Sequence, residues 1–161
     1  ELNDTENEIL VKYRETDRSE YFLCVHTSYF CERIAAKLDL DKDALKCAGL
    51  YHKKGWDLMQ ETKEKEFPAG ARQILEEYKG NTKYRNPGTA VLYCSDAVVS
   101  AVLLLLQKNP QKKPDYDQMI DMIFEKIRQK GIFSDCDLSL RNWNRMQKIF
   151  KEEKLYYDFL R

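Results

Sequence analysis

The stretch TAVLYCSDAVVSAVLLLLQ, Thr89 to Gln107, decides the fold class. Wound at 3.6 residues per turn it is apolar on nearly every side, the pattern of a helix at the centre of a core. Asn86-Pro87 ahead of it is a helix-opening pair, and Asn109-Pro110 behind it marks the exit into a loop. One residue breaks the pattern: Asp96, a carboxylate halfway along the most apolar element of the chain. An unpaired carboxylate there is strongly unfavourable, so Asp96 has a partner. The partner is a neighbouring helix end, a tyrosine or a cation if the residue is structural, and a metal ion or phosphate site if it is functional.

Outward from this helix the same period continues. Tyr21, Val25, Tyr29, Phe30, Ile34 and Leu38 share one face of a helix over residues 19–38. Residues 39–41 form a turn, and Asp41 caps a helix carrying Leu45, Ala48 and Leu50, which Gly55 is expected to stop. Residues 56–66 are charged and weakly periodic and read as a loop or a poor helix. Pro68 opens a helix through Ile74 and Leu75 to Tyr78, ended by Gly80-Asn81. Tyr116, Met119, Ile120, Ile123 and Ile127 mark another, closed by Gly131. Ser139 caps a last helix with Leu140, Trp143, Met146, Ile149 and Phe150 on its inner stripe. There is no convincing strand run, repeat or low-complexity tract. The expectation is an all-α, single-domain helical bundle over 19–161, preceded by an N-terminal arm or leading helix over 1–18 that contains Leu10 and Tyr13.

At 161 residues the chain has room for one core. Lys+Arg and Asp+Glu are both 27, so no basic excess exists to bind a nucleic-acid polymer or a membrane surface. The five cysteines, Cys24, Cys31, Cys47, Cys94 and Cys136, form no CxxC pair and sit in apolar helical patterns, which suits buried thiols in a reducing cytoplasm. The longest uninterrupted apolar run, Ala101 to Leu106, falls short of the roughly 20 residues that cross a bilayer, so this segment is expected to make no membrane contact itself. No signal peptide is visible, and the start at Glu1 reads as an excerpt or as the loss of disordered residues, with the cytosolic part of a larger membrane protein as one setting.

Glu32-Arg33-Ile34-Ala35-Ala36, followed by Ala48-Gly49-Leu50-Tyr51-His52-Lys53-Lys54-Gly55, resembles the opening of an HD-type phosphohydrolase domain. The segment Asp135-Cys136-Asp137-Leu138-Ser139-Leu140-Arg141-Asn142 and the Ala90 to Ala101 helix around Asp96 are similar to the cytoplasmic HD domain of the seven-transmembrane HD family, which hydrolyses cyclic di-AMP. The likeness runs from about Glu20 to the end. Members of that family hold two metal ions with histidines and aspartates from several helices, and the metals activate a water. Carried over residue by residue, the resemblance puts Leu23 at the first ligand histidine. His52 keeps the histidine of the His-Asp pair while Lys53 replaces its aspartate, Tyr78 and Lys79 stand for a pair of histidines, and Asp96 keeps the final aspartate. A further family histidine lies on a helix for which this chain has too few residues.

The resemblance therefore implies a degenerate HD domain that lacks hydrolase activity and serves as a regulatory or interaction module. Its remnant metal ligands would be His52 and Asp96, with His26, three residues after Leu23, as a substitute. Lys53 and Lys79 would stand in for the metals and bind a phosphorylated or nucleotide ligand weakly. On this reading no cofactor is expected, and a protein partner or homo-oligomer takes the place of a substrate. A plainer outcome is an ion pair between Lys53 and Asp96. The alternative is a metal-dependent phosphohydrolase, cyclic-dinucleotide phosphodiesterase-like, with a divalent metal at an altered site of His52, Asp96, His26 and Asp57.

Overall fold

The computed structural model describes residues 1–62 and 67–161. Among these residues the chain forms nine α-helices and no strand: α1 (Glu8–Thr16), α2 (Arg18–Lys37), α3 (Lys42–Tyr51), α4 (Lys54–Thr62), α5 (Ala69–Gly80), α6 (Pro87–Lys108), α7 (Tyr116–Lys130), α8 (Leu140–Glu152) and α9 (Lys154–Phe159). The all-α expectation is met.

Helix α6 is the central element. Asn86 caps it by accepting from the Gly88 N–H, and Pro87 begins it, where the missing N–H costs nothing. Val91, Leu92, Val98, Val99 and Val102 are wholly buried, and the helix lies against α2, α3, α5 and α7. By length and composition α6 is enough to cross a membrane. A count of uninterrupted apolar residues understates this, because Ser95, Asp96 and Ser100 break the run without ending the helix. Of its most apolar stretch 56% is buried inside the protein, while Leu104 is 52% exposed.

Helix α2 packs on α3, α6, α1 and α8. The approach to α3 is very close: a Cβ at Gly49 would lie 2.6 Å from the Ser28 Cα. Asp41 caps α3 as expected, accepting from the Ala44 N–H. The helix ends at Tyr51, with His52 as its C-terminal cap, and not at Gly55. Gly55 instead lies in the first turn of α4, where a Cβ would come 3.1 Å from the Tyr51 ring. The glycine answers a need for close approach rather than a stop. Of the stretch read as a loop or a poor helix, residues 56–62 belong to helix α4, which buries Met59 and stacks Trp56 on Phe67. Residues 63–66 of that stretch lie outside the described residues.

The N-terminal segment takes the form of a leading helix. Asn7 caps α1 through the Ile9 and Leu10 N–H groups and donates from its amide to the Tyr51 hydroxyl, while Leu10 and Tyr13 are wholly buried. At the other end the single last helix expected after Ser139 is two. The break falls at Glu153, a buried carboxylate that pairs with Arg33 and accepts from the Tyr29 hydroxyl at 3.2 Å, both on α2. The bend carries α9 back onto α2, where Tyr156 stacks on Tyr29 with ring centroids 4.1 Å apart. Met146, Ile149 and Phe150 are buried as expected, but Leu140 is 75% exposed: it stands in the first turn of α8, at the rim of a groove beside α7.

Candidate functional site

Three elements converge on Asp96. The C-terminal end of α3 presents His52 and Lys53, the last turn of α5 presents Tyr78, and α6 presents Asp96 with Ser100 one turn on. His52 is 1% exposed. Its Nδ1 lies 2.7 Å from the Gly49 carbonyl oxygen, and its Nε2 lies 3.2 Å from Asp96 Oδ1. The carbonyl only accepts, so Nδ1 carries a proton. A neutral ring would then turn the Nε2 lone pair on the carboxylate, whereas an imidazolium donates from both ends. Burial pulls the His52 pKa down, but hydrogen bonds to Asp96 and Cys24, then the Cys24 and Asp96 charges, more than reverse this and raise it to about 9. These contacts favour the protonated ring, which donates to Asp96 from Nε2.

The Asp96 carboxylate is surrounded by donors. Oδ1 also accepts from the Ser100 hydroxyl at 3.3 Å, and Oδ2 accepts from the Tyr78 hydroxyl at 3.4 Å and faces Lys53 Nζ at 3.8 Å. Burial raises its pKa, yet the His52 hydrogen bond, the His52 and Lys53 charges and the Ser100 hydroxyl together hold it below the ordinary aspartate value. The Tyr78 phenol, pushed far up by burial and then by the Asp96 charge, stays protonated and donates. Behind His52 the polar contacts continue inward. Cys24 Sγ lies 3.6 Å from the Tyr13 hydroxyl, which donates to Glu20 at 2.7 Å.

His52, Lys53 and Asp96 are thus brought together. His26 is not among them: its Nδ1 sits 2.8 Å from the Tyr156 hydroxyl, and burial lowers its pKa. Lys79 is exposed at the end of α5, Asp57 is exposed on α4, and Leu23 packs on the core. Among the described residues no group of three His, Cys, Asp or Glu side chains gathers to hold a metal ion; His52 and Asp96 are the pair that meets here. Three participants carry little sign in the sequence that they are partners of this pair. Ser100 was findable, because i and i+4 share a helix face. Tyr78 reads in the sequence as the end of an apolar helix face and the place of a lost histidine, and Cys24 as a buried thiol.

In sequence the chain matches no family model and no curated protein. In structure it is similar to the HD domain of the L. monocytogenes phosphodiesterase PgpH, with a TM-score of 0.75 and 14% identity over 94% of this chain and 100% of that one. The same domain in complex with cyclic-di-AMP is similar at a TM-score of 0.73 and 14% identity, over 93% of this chain and 97% of that one. At that identity the likeness speaks for architecture alone. The nine helices around Asp96 are an HD-domain fold.

Proposed function

We propose that this HD-fold domain is a non-hydrolytic regulatory or interaction module whose remnant metal site is held shut by its own charges. The observation that carries the reading is the position of Lys53, with Nζ 3.8 Å from Asp96 Oδ2 while His52 holds the other oxygen. A fixed ammonium in a half-desolvated site opposes a dication. Among the described residues two donors, one of them favoured in its protonated form, are too few for a binuclear cluster of the kind that activates water. Among the described residues the side chains present do not fit such a cluster.

Retained phosphate binding fits the same reading in a weak form. The similar L. monocytogenes domain is solved with cyclic-di-AMP, and Lys53, beside Asp96, with the exposed Lys79 at the end of α5, offers point charges for a phosphate. The alternative, a metal-dependent phosphohydrolase with an altered site, has one observation in its favour. The Nδ1 to Gly49 contact aims His52 Nε2 as metal-bound histidines are aimed.

Metal analysis of the purified chain, with a phosphodiesterase assay on cyclic dinucleotides in manganese, separates the two. The proposal expects no stoichiometric metal and no turnover. Bound metal with turnover abolished by Asp96→Ala would overturn it.

A further inference from the structure

Far along the chain from Asp96, the face made by α7 and α8 carries a groove of about 670 Å³. Its floor is Phe124, Ile127, Phe133 and Trp143, and exposed Leu140 stands at its rim. Two shallower depressions adjoin it. One shares Asp121 with the groove and adds Asp115, Asp117 and the 55%-exposed Met122. The other shares Leu140 and Asn144 and adds Arg141, Arg145 and Lys148. Across this face the surface passes from the carboxylates of α7, with Arg128 among them, through aromatic, to basic along the outer side of α8.

We infer that this face is a two-fold interface between copies of the chain. A C2 contact applies one patch to itself. With the axis along the helices, each acidic α7 edge lies opposite the partner's basic α8 edge, and the apolar floors meet between them. The charge layout argues for a second copy. Within one chain Asp121 meets Lys151 and Gln147, Asp117 meets Lys154, and Glu125 meets Arg128 and Gln129, all in exposed contacts that can exchange partners, whereas among the described residues neither Arg141 nor Arg145 has an ion pair. A large exposed leucine and methionine flanking an aromatic groove are what such an interface covers. The inference does not depend on the chemistry at Asp96.

Sedimentation of the 161-residue chain tests it. The expected result is a monomer–dimer equilibrium that weakens about tenfold or more in Leu140→Lys, in Arg141→Glu/Arg145→Glu, and in Asp121→Lys/Glu125→Lys. Mixing the last two variants restores dimers, since each then meets an edge of opposite sign, while circular dichroism shows both still helical. A chain that stays monomeric at high concentration overturns the inference, as does a dimer that none of the three variants weakens or one that mixing fails to restore.

Discussion

His52 and Asp96 meet with Nε2 3.2 Å from Oδ1, and neither has a polar atom left over: the ring's far nitrogen is on the Gly49 carbonyl, and the carboxylate also faces Ser100, Tyr78 and Lys53. The pair is held from three helices that are far apart in sequence. Its chemistry therefore reads out in stability as well as in activity.

Replacing Asp96 by Ala leaves a buried imidazole and Lys53 without their counter-charge. The expected cost is about 2–4 kcal/mol of folding free energy, because breaking one side of a buried pair exposes the desolvation penalty of the other. Lys53→Ala, at a side chain about a third exposed, should cost less than about 1 kcal/mol. Urea denaturation of the two variants against the parent checks the ranking, and equal losses would contradict it.

His52, at about 9 in the folded chain against 6.5 when unperturbed, binds more protons folded than unfolded between those values. Its contribution is full below pH 6.5 and is lost as pH rises through about 9. Asp96, lowered by the same contacts, contributes above the ordinary aspartate value and fades only in acid. The parent should lose roughly 1–3 kcal/mol across the alkaline interval, and His52→Gln should flatten that slope. An NMR titration of the ring places the midpoint directly.

Lys53→Asp removes the ammonium and supplies a carboxylate beside His52 and Asp96. Manganese or zinc should then raise the melting temperature of the variant by several degrees while leaving the parent unmoved, since metal that binds only the folded state stabilises it. A parent chain that responds as strongly as the variant would show that Lys53 is not what opposes the metal.

Gly49→Ala tests the packing that sets His52 in place. The added Cβ meets backbone of α2, at Ser28, that cannot swing aside. A loss of about 1–3 kcal/mol is expected from overpacking, with a shifted His52 titration because the Gly49 carbonyl is the ring's acceptor. Thermal melts and the same NMR signal check both parts.

The features legible in the sequence are those decided within a few residues. Asp41, Ser139 and Asn86 cap their helices because a short polar side chain reaches the next free N–H groups. Gly131 ends α7 because φ is +66° there. The apolar period marks α6 as the core helix, and Asp96 stands out on it for the same reason, since a charge in that position must be answered.

What answers it was settled only by tertiary structure. Lys53 and Tyr78 reach Asp96 from α3 and α5, and no local pattern encodes which of several cations and hydroxyls arrives. His26 turns away because the break at Glu153 folds α9 back and sets Tyr156 against it, a contact between residues 130 apart in sequence. Gly55 stays helical and Leu140 stays exposed for a like reason. Periodicity says which residues face inward, but the element packed opposite decides whether a close approach needs a glycine or a leucine finds a partner.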